Sequence, residues 1–170
     1  PSKWKISRII PIFKKGDPKN IKNYRPISNL CSLAKVMEKM VLNCLNEIAS
    51  ENSIDLTGKS QYGFKKNSST SVLSLLLQEK VAGYLDGGYG AGMASLDLTA
   101  AFDMVNHGLL FKRLKILGIP EKILKILQCW LRDRKSFVEI GEKTSSFTPY
   151  ARGTVQGSVL GPVLFAMFIR

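Results

Sequence analysis

The stretch Met93-Ala94-Ser95-Leu96-Asp97-Leu98-Thr99-Ala100-Ala101-Phe102-Asp103 decides how this chain is read. Ala94, Leu96 and Leu98 fall on one side of an alternating run, and Met93, Ser95 and Asp97 on the other. That alternation predicts a strand with one buried face. Thr99 is a residue type that caps helices, so a helix is expected from Ala100, with helical chain continuing to Leu117 before Gly118. A strand that passes into a helix puts Asp97 at the strand's C-terminal end, where ligands bind in open α/β sheets. A carboxylate there suits phosphoryl chemistry, because Mg²⁺ keeps few protein ligands and takes the rest from phosphate and water. One Asp is a weak signal, and a capping or surface role fits the same spacing. Asp103 reads as a helical surface acid.

Upstream, Ile6–Phe13 is short and β-branched and reads as a strand, with Lys14-Lys15-Gly16-Asp17-Pro18 as the turn after it. The apolar positions Val36, Met37, Met40, Val41, Cys44, Leu45 and Ile48 recur at helical spacing, so 32–50 is an amphipathic helix, its methionines in the core. Residues 69–82 form a second helix capped by Ser68 or Ser69, and Gly83 to Gly92 breaks structure. Downstream, Pro120 opens a helix with Ile123, Leu124, Leu127, Trp130 and Leu131 on its apolar stripe. Ser136–Ile140 and Phe147–Ala151 read as paired strands, and Val159–Ile169 as a buried helix. The mixture is α/β or α+β.

Composition excludes several classes. The chain has 170 residues, 45% of them hydrophobic, which suits one domain with a real core and not a disordered segment. No window of about 18 apolar residues exists, so no spanning helix is expected. The chain begins at Pro1 with no charged-then-apolar leader, so no secretory signal is expected, and it reads as part of something longer. Cys31, Cys44 and Cys129 are odd in number and widely spaced. They read as reduced, buried thiols of an intracellular protein. Lys plus Arg is 25 against 13 for Asp plus Glu, a net charge of +12. The excess is concentrated in 1–30 and 111–140, each with eight basic residues, whereas 91–110 has none. Such a distribution favours polyanions, although basic runs are also ordinary solvated surface.

Four further groups could carry chemistry. In Gln156-Gly157-Ser158, an amide beside a glycine can approach a base or sugar closely, or Ser158 simply caps the helix that follows. Lys14, Lys15 and Arg25 flank a turn and could hold a triphosphate. Lys65 and Lys66, with Ser68, Ser69 and Thr70 at a helix N-terminus, suit a phosphate backbone. His107 reads as a packed or capping histidine rather than a base.

Five motifs then align in order with one family. Ile9-Ile10-Pro11-Ile12-Phe13-Lys14-Lys15-Gly16-Asp17 and Asn23-Tyr24-Arg25-Pro26-Ile27-Ser28 come first. Gln61-Tyr62-Gly63-Phe64-Lys65-Lys66 with Ser69-Thr70, then Leu96–Asp103, and Gly153-Thr154-Val155-Gln156-Gly157-Ser158-Val159-Leu160-Gly161-Pro162 complete the set. Together they resemble the reverse transcriptase domain of non-LTR (LINE-type) retrotransposons. The resemblance implies a right-hand polymerase, with a fingers-like part over 1–92 and a partial palm over 93–170. The second half of the palm and the thumb are absent from the stretch. It implies an RNA-directed DNA polymerase using two Mg²⁺ ions, an RNA template, a DNA primer and deoxynucleoside triphosphates, acting in the nucleus. Asp97 matches the metal-binding aspartate and the Leu98 carbonyl a second contact. Phe102 matches the ring that excludes a 2′-hydroxyl. Gln156 and Gly157 match the loop lining nucleotide and template. Arg25 and one of Lys14 or Lys15, with Lys15 favoured, match the triphosphate clamp. Lys65, Lys66, Ser69 and Thr70 match a template contact.

Three departures qualify this. The family's second metal-binding turn falls past Arg170, so the stretch is not expected to polymerise alone. Val155 stands where the family usually has proline, which predicts a less rigid loop. Asn67-Ser68 replaces a commoner Gly-Arg. Two other readings follow from the residues: a non-catalytic nucleic-acid-binding remnant, and a Mg²⁺-dependent hydrolase with Asp97 as nucleophile. The hydrolase lacks the usual second Asp two places on, where Thr99 stands.

Overall fold

The computed structural model describes every residue except Lys66, Thr99 and Ala151. Its sheet is built from β1 (Ile6–Phe13), β2 (Tyr24–Asn29), β3 (Lys135–Ile140), β4 (Lys143–Thr144) and β5 (Thr148–Pro149). β1 pairs with β2 antiparallel, from Arg8 opposite Asn29 to Phe13 opposite Tyr24. On its other edge β1 pairs with β3 in parallel, Ile6 opposite Lys135 and Ile9 opposite Val138. β4 and β5 both return antiparallel against β3. A parallel pair needs a long crossover, and the chain between β1 and β3 supplies it, carrying β2 and every helix except the last, at residues 160–169. Arg8 and Glu139 tie the β1–β3 seam with a 3.1 Å ion pair.

Among the described residues there are five α-helices: α1 (Ser32–Glu51), α2 (Thr70–Asp86), α3 (His107–Ile116), α4 (Glu121–Leu131) and α5 (Leu160–Ile169). α5 packs against α3 and α1, and α3 against α4. Leu45, Leu110, Leu114, Leu127, Leu160 and Leu164 are fully enclosed between them. The stripe that α1 buries is Ala34, Glu38, Val41, Leu45 and Ala49, so the helix is confirmed but not its whole apolar set. Met40, Val36 and Cys44 face solvent, because a single neighbour covers only about 100° of a helix. Cys31 and Cys129 are exposed as well, so the expectation of buried thiols is wrong for all three.

A charged residue lies inside the α1 stripe. Glu38 is completely buried and accepts from Trp130 Nε1 at 3.0 Å, from the Val159 amide at 2.6 Å and from the Leu160 amide at 3.3 Å. The last two are otherwise unpaired donors at the start of α5, so Glu38 caps that helix from a distance and complements its dipole. Arg134, also enclosed, has its guanidinium carbon 5.0 Å from the centre of the Trp130 ring and donates to the Trp130 carbonyl at 3.2 Å. Burial pushes its guanidinium below the ordinary value, with Glu38 and Tyr150 acting the other way.

Two expectations near the deciding stretch are corrected. Residues 93–98 belong to no strand or helix, and Leu96 is 93% exposed. The alternation is present, but a strand needs a neighbour for its N–H and C=O groups, and none of the five strands runs beside it. Helix α3 starts at His107, not at Ala100, and residues 100–104 form a turn in which the Asp103 and Met104 amides both donate to the Ala100 carbonyl. Asn106 supplies the cap, accepting from the Leu109 amide at 3.0 Å. Thr99, expected as the cap, lies outside the described residues. α2 runs through Gly83 to Asp86 and buries none of its residues, since one glycine costs a helix only about 1 kcal/mol.

Candidate functional site

The segment after Asp97 and the loop carrying Gln156 are laced together. The Thr154 amide donates to the Phe102 carbonyl at 2.7 Å and the Gly153 amide to the Val105 carbonyl at 2.8 Å. His107 Nε2 donates to the Gly153 carbonyl at 2.8 Å. Gly153 has φ +89°, and a Cβ there would lie 2.8 Å from the Asp103 backbone. The loop's other end reaches the sheet. The Ser28 amide of β2 donates to the Gln156 carbonyl at 2.9 Å. Gly157 has φ +101°, and a Cβ there would lie 2.6 Å from the Ser28 carbonyl oxygen. Only glycine permits both contacts. One loop therefore bridges β2 and the turn that follows Asp97. Val155 is buried in the core between these two anchors, so packing holds the loop where a proline ring was expected to stiffen it.

Phe102 packs its ring between two others. It stacks on Phe165 of α5 with centroids 4.6 Å apart, and Phe64 meets it edge-on at 5.9 Å. Asp103 next to it stays in contact with solvent, yet the surrounding chain partly desolvates its carboxyl and pushes it above the ordinary value. Asp97 and Leu98 are exposed, in irregular chain before the turn.

The basic residues fall in two places. Arg25 pairs with Ile12 across β1 and β2, and the Lys14 amide donates to the Asn23 carbonyl at 2.8 Å. Lys14 and Lys15 follow directly on β1, in the connection to β2. The structure thus brings Lys14, Lys15 and Arg25 to one end of the hairpin, all exposed. Lys65 Nζ donates to the Gly58 carbonyl at 3.0 Å and lies 3.8 Å from Asp55. Ser69 Oγ caps α2 by accepting from the Val72 amide, with Thr70 as the first helical residue. Lys66 lies outside the described residues.

No three His, Cys, Asp or Glu side chains converge as a metal site among the described residues. Asp97 and Leu98, the metal contacts that the sequence resemblance implies, are adjacent and exposed. Ser28, His107 and Glu38, which hold the loop and α5, were not legible as site-supporting residues. Each acts on a residue far away in sequence, and no local pattern marks such a contact.

A family model described as reverse transcriptase (RNA-dependent DNA polymerase) matches residues 12–170. The chain belongs to that family, and its resemblance to non-LTR retrotransposon enzymes is borne out. It is 34% identical over 169 residues to the probable RNA-directed DNA polymerase from transposon BS of Drosophila melanogaster. It is 35% identical over 171 residues to the RNA-directed DNA polymerase from mobile element jockey of the same species. Each alignment covers 99% of this chain and 18% of the relative. A Pol polyprotein from the type-1 retrotransposable element R2 of Popillia japonica is 29% identical over 166 residues, or 97% of this chain and 22% of that protein. The chain therefore spans less than a quarter of the length of these relatives. Among the described residues no helix is long and apolar enough to cross a membrane.

Proposed function

We propose that this chain forms the fingers-like part (1–92) and the first part of the palm (93–170) of an RNA-directed DNA polymerase. Its substrates are then an RNA template, a DNA primer and deoxynucleoside triphosphates, and its place of action the nucleus. The observation that supports this best is the bridge formed by 153–158. It ties Gln156 and Gly157 to β2 at Ser28, three residues from Arg25, and it ties Thr154 and Gly153 to Phe102 and Val105, five and eight residues past Asp97. A nucleotide needs its triphosphate, base and reacting end held in fixed relation, and one rigid loop sharing both neighbours can do that.

In this reading Arg25 takes the triphosphate with Lys14 or Lys15. Gln156 and Gly157 line the base and sugar, and Phe102 bounds the sugar. Lys65, Lys66, Ser69 and Thr70 meet the template. Asp97 and the Leu98 carbonyl hold Mg²⁺, which when bound neutralises charge developing on the transferred phosphoryl group. A pair of ions needs further carboxylates, supplied by other parts of the polymerase. The second reading is a nucleic-acid-binding remnant without catalysis, for which the net charge of +12 would suffice.

Primer extension by the full reading frame separates the two. Asp97→Asn keeps the shape and removes the charge, so extension should fall by several kcal/mol of transition-state stabilisation while template affinity stays within about twofold. A wild-type protein that binds template but never extends the primer supports the remnant. Extension by Asp97→Asn at more than about a few per cent of wild type removes Asp97 from the metal site.

A further inference from the structure

A cavity of about 550 Å³ opens between α3 and α4, lined by His107, Phe111, Lys125, Gln128, Cys129, Leu131 and Arg132. No motif above accounts for it. His107 and Phe111 are one turn apart on α3, and Lys125, Gln128 and Arg132 share one face of α4 and its C-terminal cap. Among the described residues the lining contains two basic side chains, an imidazole and an amide, and no carboxylate. Phe111 and Leu131 supply an apolar floor. Lys122, also exposed, extends the row of cations one turn beyond Lys125. From Lys122 to Arg132 the row runs roughly 15 Å along the helix axis. That is longer than one phosphate or one mononucleotide, and it suits successive phosphates of a strand.

We infer that this cavity is an accessory single-stranded nucleic-acid site, joined to the loop of Gln156 through the His107–Gly153 hydrogen bond but lined by none of the residues 153–158. One phosphate lies on Lys125 and Arg132, its base rests against the apolar floor, and the next phosphate meets Lys122. Charge makes such a contact salt-dependent, and an aromatic floor accepts any base.

Cys129 lines the cavity, whereas Cys31 and Cys44 are exposed elsewhere. Alkylation by N-ethylmaleimide therefore reads occupancy of this place, in the 170-residue chain and without any polymerisation. A saturating oligo-dT at low salt should slow alkylation of Cys129 about tenfold and leave Cys31 and Cys44 unchanged. Lys125→Glu with Arg132→Glu should abolish the protection. It should also weaken oligonucleotide binding well beyond Lys39→Glu with Lys80→Glu, which makes the same change in net charge on α1 and α2. Equal effects of the two charge reversals, equal protection of all three thiols, or none, overturn the proposal. Full protection by inorganic phosphate overturns it in favour of a bare anion pocket, and full protection by thymidine monophosphate in favour of a mononucleotide site. Loss of primer extension in Asp97→Asn has no bearing on any of these readouts.

Discussion

The ring of Phe102 stacks on that of Phe165 with 29° between their planes. This contact joins the turn after Asp97 to the helix that follows Gln156. It also gives Phe102 a packing role beside the sugar-discriminating role proposed for it.

The two roles separate by substitution. Phe102→Val removes a half-buried ring and its aromatic pair, which should lower unfolding free energy by about 1–3 kcal/mol. In the full reading frame it should also raise use of ribonucleotides relative to deoxynucleotides, by relief of steric exclusion. Urea denaturation measures the first and paired single-nucleotide incorporation the second. A stability loss with an unchanged deoxy-to-ribo preference would leave Phe102 as packing alone.

Glu38 holds the start of α5 and the Trp130 indole with one carboxylate. Glu38→Ala strips three donors of their acceptor inside the core and should cost about 3 kcal/mol or more. Glu38→Gln retains one carbonyl oxygen and should cost less. If chemical denaturation shows Glu38→Ala within about 0.5 kcal/mol of wild type, the buried contacts do not form.

Glycines at three positions should respond in opposite senses to alanine. Gly157→Ala meets the Ser28 carbonyl and Gly153→Ala the Asp103 backbone, both at positive φ, so each should destabilise by about 1–3 kcal/mol. Gly83, inside α2, has open space where a Cβ would go. Gly83→Ala should therefore stabilise by roughly 0.5–1 kcal/mol. Thermal unfolding of the three variants tests the set, and a stabilising Gly157→Ala would break the bridge to β2.

Asp55 gives the chain an acid-sensitive loop. Burial works against its charge, but the amides of Thr57 and Gly58 and the ammonium of Lys65 outweigh it and hold the carboxyl below its ordinary 3.8. A carboxyl lowered on folding stabilises the fold above its unfolded value and loses that contribution as pH falls through the folded one. Asp55→Asn should thus flatten the stability curve below about pH 4 and change little of its shape above pH 5. Urea titrations across that range check the sign. A steeper acid limb in the variant contradicts it.

The helices α1, α2, α4 and α5 and the strand β1 were determined by sequence alone, because periodicity, caps and β-branched runs act within a few residues. The family was legible too, since it rests on residue types in order and not on their positions in space. Tertiary structure alone decided which face of α1 is buried, and it left Met40 and Cys44 outside. It withheld a sheet from Met93–Leu98, whose alternation specifies a strand but cannot supply the neighbour a strand requires. It started α3 at His107, where the contacts of Gly153 and Thr154 hold residues 102–105 in a turn. The bridge from Ser28 to Gln156 and the cap from Glu38 to Val159 are likewise properties of the folded chain. Their partners are separated by more than a hundred residues, and hydrogen bonds across such a gap depend on distances that no local pattern encodes.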